Sequence, residues 1–125
     1  MTLERKDYII KTALNKVMTI FNVKTVRNCR INHQRNYSMN NATAVLFFNY
    51  ETPQSDLLME SHLVFGDYWF YNNDWLKLSN KTEDSPDAEV NKLVPYNFSK
   101  DETQQAIARI AARIYNAFKY RGIIK

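Results

Sequence analysis

Apolar residues recur three and four positions apart over residues 3–21. Leu3, Ile10, Leu14, Val17, Met18 and Phe21 then share one face of a helix. Thr2 stands where an N-cap is needed. Arg5, Thr12, Lys16 and Thr19 lie opposite, and Ile9 and Ile20 flank the apolar stripe and widen it. An arc this wide predicts a helix buried on two sides; the alternative is a homodimer in which Ile9 and Ile20 meet a second copy.

The period then shortens toward two, the repeat of a strand. Over residues 23–33, Val23, Thr25, Arg27, Cys29, Ile31 and His33 fall on one face, with Val26, Asn28 and Arg30 on the other. The alternation is irregular, which suits an edge strand. Residues 34–41 are polar and Asn-rich and read as a loop or the end of a long hairpin. Over residues 42–51, Ala44, Leu46, Phe48 and Tyr50 occupy one face, and Val45 and Phe47 the other. Apolar side chains on both faces place this strand centrally. A turn at Pro53 leads into residues 57–65, with Leu57, Met59, Leu63 and Phe65 inward and Glu60 and His62 outward. Residues 68–71 and 74–78 then suggest a hairpin across Asn72-Asn73, since Asn tolerates the positive φ of tight turns.

The most legible stretch is residues 99–121. Ser99 and Glu102 stand at capping-box spacing. Ile107, Ile110, Ala111, Ile114 and Phe118 form a helical stripe, and Gly122-Ile123 suits a left-handed helix ending. Short connections between four consecutive strands, flanked by helices, predict an α+β domain. Its architecture would be a four-stranded antiparallel meander with the N- and C-terminal helices packed on one face.

Composition adds boundaries to that picture. At 125 residues the chain forms one domain, residues 1–125, and 45% hydrophobic content supplies one core. The net charge is +4, but residues 1–35 and 109–125 are basic while residues 36–108 are acidic. The acidic stretch 80–96, with Glu83, Asp84, Asp87 and Glu89, links strands to the last helix and suggests one helical turn at Ser85-Pro86. The ends and the middle either complement each other within the domain, or the basic ends meet an anionic partner. The frequent Asn, Lys, Ile and Tyr all have AT-rich codons, a composition suited to an AT-rich bacterium, phage or plasmid. Cys29 is the lone cysteine and is expected as a small buried residue in a reducing compartment. Residues 1–7 carry acids and no uninterrupted apolar run, so neither a signal peptide nor a membrane span is expected, and the location reads as cytoplasmic.

Few patterns point to chemistry. Cys29, His33 and His62 lack the spacing of a metal site, so no metal is expected. Two isolated glycines cannot form a phosphate-binding loop, and no cofactor is expected. Glu60 and His62 share a strand face and form the acid–base pair of an alternative reading as a small enzyme with a sheet pocket. The leading expectation is no catalytic residue, and a non-enzymatic binding or inhibitory protein acting by protein–protein contact. A phage or mobile-element counter-defence accessory would have this size and composition.

Two clusters carry that expectation. Trp69, Tyr71 and Trp75 on the hairpin supply aromatic anchors. On the last helix, Gln105, Arg109, Arg113, Asn116 and Tyr120 project opposite the isoleucines, in a stripe with no carboxylate after Glu102. Arg27, Arg30 and Arg35, taken with Arg109, Arg113 and Arg121, define the alternative of a nucleic-acid-binding surface.

Overall fold

A computed structural model describes residues 1–36, 41–53, 55–71 and 101–125. The elements run α1 (Leu3–Ile20), β1 (Val26–Asn36), β2 (Asn41–Thr52), β3 (Ser55–Phe65), α2 (Asp67–Tyr71) and α3 (Glu102–Tyr120). The strands form an antiparallel sheet in the order β1-β2-β3, so β2 is central, as its two apolar faces require. Ala44 pairs with Phe65 and Leu46 with Leu63, which puts these four buried side chains on one face. That face joins Ile9, Ile10, Ala13, Leu14 and Val17 of α1 and Ile107, Ile110, Ile114 and Phe118 of α3 in a single core. Phe48 meets Phe118 edge to face at 5.2 Å across the sheet–helix seam.

Ile9 is fully buried, so the wide arc of α1 is consumed within the chain. Ile20 is exposed, as is Leu3 at the other end of the predicted stripe. On β3, Leu63 and Phe65 turn inward as their spacing predicts. Leu57 and Met59 share their parity but are exposed, because they lie toward the hairpin end of the strand.

The irregular alternation of β1 has a structural cause. Arg27 faces Asn49 and Arg30 faces Phe47, so β1 holds one extra residue there. Asn28 absorbs the bulge at φ 54°, with its side-chain amide donating to Asn49 Oδ1 at 3.2 Å. The extra residue reverses the phase of the strand. Val26 is buried before it, and Ile31 packs on the same core after it. Cys29, expected to be buried, is exposed at the bulge.

Local hydrogen bonding sets the helix ends. Thr2 Oγ1 accepts from the Arg5 N–H at 3.1 Å, as its N-cap position predicts. At the end of α1, Asn22 takes φ 52° and the Val23 N–H donates to the Met18 carbonyl at 2.9 Å. The start of α3 differs from expectation: Asp101 is the N-cap, its carboxylate accepting from the Thr103 N–H at 2.8 Å. Ser99 lies outside the described residues. The stop is as the sequence predicts. Gly122 has φ 75°, its N–H donates to Lys119 O at 3.1 Å, and the Ile123 N–H reaches Phe118 O at 2.9 Å. Both bonds of a Schellman ending are present, and Ile123 packs on the core.

Residues 68–71, expected as one arm of a hairpin, belong instead to the helical turn α2. The described sheet therefore has three strands. The hairpin turn at 72–73, its second arm at 74–78 and the stretch 80–96 with Ser85-Pro86 lie outside the described residues.

Gly122→Ala should lower stability by roughly 1–2 kcal/mol, because a Cβ at φ 75° is strained even with open space around it. Gly66→Ala meets open space without that backbone demand and should stay within about 0.5 kcal/mol of the parent. Urea unfolding midpoints at unchanged m-value separate the two. Equal midpoints for both variants would remove the role given to Gly122.

Candidate partner-binding surface

Five residues cannot hold a helix in isolation, so α2 depends on what grips its two ends. At its start, Asp67 lies in the first turn, where a carboxylate suits the helix dipole. Lys6 of α1, almost fully buried, places Nζ 3.3 Å from Asp67 Oδ1 and 5.1 Å from the centre of the Phe70 ring. At its end, Arg109 of α3 donates from Nε to Trp69 O at 2.9 Å and from Nη2 to Phe70 O at 2.6 Å. The last carbonyls of a helix lack internal donors, and a planar guanidinium can serve two at once. Phe70 completes the grip by inserting into the core at 1% exposure.

Arg109 was expected on an outward stripe and is instead 2% exposed. The helical projection is sound, but α2 lies across that part of α3 and covers it. Burial shifts the Arg109 pKa downward, against the opposing influence of Glu102 and Tyr68. Its place in the surface is beneath it.

What α2 shows outward follows from its helical spacing. Tyr68 and Tyr71 stand three apart and are 57% and 51% exposed. Trp69 is half-buried, edge to face with Tyr68 at 5.5 Å and with Phe65 at 6.4 Å. Arg113, one turn along α3 from Arg109, sets its guanidinium carbon 5.8 Å from the centre of the Trp69 ring. Asn116 and Tyr120 continue the exposed side of α3, and Tyr120 is 90% exposed. The Met1 amino group donates to Tyr71 Oη at 2.8 Å. The structure thus brings Trp69, Arg109 and Arg113 together, with Tyr71 on the same short helix and Asn116 and Tyr120 further down α3. Trp75 lies outside the described residues. Tyr68 is the member missing from the sequence-based set, because strand alternation separates it from Trp69. The signal for it is Asp67 directly after Gly66, a helix start rather than a strand end.

The remaining predicted residues are engaged elsewhere. Arg27 pairs with Glu51 at 3.0 Å. Arg30 pairs with Glu60 at 2.9 Å and lies over the Phe47 ring at 5.1 Å. Arg121 donates to Ser61 Oγ at 2.8 Å and to Ala117 O at 3.1 Å. The Arg35 side chain lies outside the described residues. His62 is exposed and packs 5.8 Å from the Phe47 ring, and its expected partner Glu60 is held by Arg30. His33 instead sits 2.5 Å from Asp7 of α1, joining β1 to that helix. Among the described residues there is no group of three or more metal-binding side chains, and no helix long and apolar enough to cross a membrane.

Arg109→Leu should cost about 3 kcal/mol or more, since it strips two carbonyls of their donors inside the fold. Arg109→Lys should recover only part of that loss, because an ammonium lacks the planar fork. Equilibrium unfolding followed by tryptophan emission and far-UV dichroism measures both, and a cost below about 0.5 kcal/mol for Arg109→Leu would refute the clamp.

Comparison with protein-family models, with curated proteins and with solved structures finds no match to the chain.

Proposed function

We propose that the chain is a small non-enzymatic binding protein that acts by protein–protein contact through α2 and the outer side of α3. The observation that carries this reading is the Trp69–Arg113 cation–π contact beside the exposed ring of Tyr68, with Tyr71 exposed on the same short helix. Tryptophan, tyrosine and arginine contribute disproportionately at interfaces, because they bury large area and lose little conformational freedom. Tyr68 meets Trp69 at 5.5 Å and the Arg113 guanidinium lies 5.8 Å from the Trp69 ring centre, so part of the ordering cost of binding at these residues is already met. The contact set is Trp69, Tyr71, Arg113, Asn116 and Tyr120 together with Tyr68. Trp75 joins it on sequence grounds, and Arg109 serves as a positioning residue below.

The engaged arginines weigh against a broad nucleic-acid surface: Arg27 and Arg30 face carboxylates, Arg109 is buried and Arg121 serves a hydroxyl and a carbonyl. The Arg30–Glu60 pair weighs against a catalytic role for Glu60 with His62. A short chain with one aromatic face suits an inhibitor that covers a site on a larger complex. Its AT-biased composition suits a phage or mobile-element accessory in counter-defence, working in the cytoplasm of its host.

Affinity capture with the full chain from a lysate of its source cell, followed by mass spectrometry, tests this. A protein partner should persist after nuclease treatment. Its yield should fall about tenfold or more with combined Tyr68→Ser, Tyr71→Ser and Arg113→Ser, provided the unfolding midpoint is kept. Loss of every partner on nuclease treatment, with affinity for generic DNA or RNA falling steeply with salt, would transfer the reading to nucleic acid.

A further inference from the structure

We infer that the partner presents a carboxylate to Arg113, on a protein segment whose neighbouring apolar side chain rests against Tyr68 and Trp69. This rests on the binding surface proposed above and adds the chemistry of what it binds.

The arginines differ in what receives their N–H groups. Arg5 donates to Thr103 Oγ1, Arg27 and Arg30 face carboxylates, Arg109 donates to backbone carbonyls, and Arg121 donates to Ser61 and Ala117. Among the described residues Arg113 has a ring beneath it and neither a hydrogen-bond acceptor nor an ion-pair partner. A guanidinium within cation–π range of an indole keeps planar N–H donors able to form two parallel bonds to a carboxylate, and among the described residues those of Arg113 have no acceptor. Half-burial of Arg113 reduces screening at this position.

Among the described residues of α2 and α3 the charge has the matching sign. No acidic residue follows Glu102 along α3, while Arg109, Arg113, Lys119 and Arg121 do. The nearest carboxylate of α2, Asp67, is occupied by Lys6. A positive site walled by Tyr68 and Trp69 is complementary to an acidic residue beside an aliphatic or aromatic one. A carboxylate is favoured over a nucleic-acid phosphate because Arg27 and Arg30, which a phosphate track would recruit, already face carboxylates.

Random dodecapeptides displayed on phage, selected against the full chain, supply the probe; the best binder is resynthesised with fluorescein and read by fluorescence polarisation. Selected peptides should place Asp or Glu beside Leu, Phe, Tyr or Trp. Arg113→Gln should raise Kd about tenfold or more while leaving the unfolding midpoint in place. Changing the peptide carboxylate to its amide should cost as much, and the two changes together should cost little more than either alone. Binding indifferent to Arg113→Gln, or selected peptides without acidic residues, would overturn the inference. If such peptides still lose affinity with Tyr68→Ser, the binding surface stands and only the carboxylate falls. Binding indifferent to both changes removes the surface as well. A roughly tenfold gain in peptide affinity on neutralising Glu83, Asp84, Asp87 and Glu89 would assign Arg113 to the chain's own acidic stretch and overturn the inference. Displacement of the peptide by a twelve-residue oligothymidylate at lower concentration than the unlabelled peptide would overturn it in favour of nucleic acid.

Discussion

The buried guanidinium of Arg109 is the constraint on which the placement of α2 depends. A charge removed from water must be met by well-placed polar groups, or the fold pays several kcal/mol. The carbonyls that meet it, those of Trp69 and Phe70, are also the ones a short helix cannot satisfy internally. Each side thus solves the other's problem. Lys6, a second buried cation, meets the Asp67 carboxylate at the opposite end of α2. Without these two contacts α2 would be a five-residue segment with little reason to be helical, and Trp69 would have no fixed ring to offer Arg113.

The sheet supports this arrangement from below. Its core face is filled by α1 and α3, and α2 is seated by Phe70 against the same cluster. Links between elements fix the helices against one another: Arg5 to Thr103 at the starts of α1 and α3, Arg121 to Ser61 from the end of α3 to β3, and His33 to Asp7 from β1 to α1. On the opposite face, the Arg30–Glu60 pair crosses Phe47 of the central strand. Two groups that looked chemically suggestive in one dimension, a strand arginine and a strand carboxylate, neutralise each other there.

Features set within a few residues were legible in the sequence. The Thr2 cap, the apolar stripes of α1 and α3, the central position of β2 and the Gly122 ending all follow from short-range spacing and hydrogen bonding. Features set by distant elements were misread. Tyr68-Trp69-Phe70-Tyr71 has strong strand propensity, and alternation alone could not reveal that Phe70 is the one of the four buried in the core. Arg109 projects outward on the wheel of α3, correctly, but the wheel has no knowledge of α2. The β1 bulge hid because one residue of slip changes which half of a strand faces inward. In each case tertiary contact overrode a local pattern that fitted two structures equally well.

Arg109 and Arg113 show how one helix face can divide its labour. They are one turn apart, carry the same charge and would ordinarily repel slightly. The covering helix separates their environments: Arg109 is spent on backbone carbonyls, while Arg113 emerges at the margin of α2 with a ring beneath it. Replacing Arg113 by a neutral residue would relieve the repulsion without stripping any buried carbonyl of its donor. Among the described residues the fold has no hydrogen bond to lose there. A cation kept at a small electrostatic cost, near a ring and without an acceptor among the described residues, suits the proposed contact with another molecule better than a role in stability.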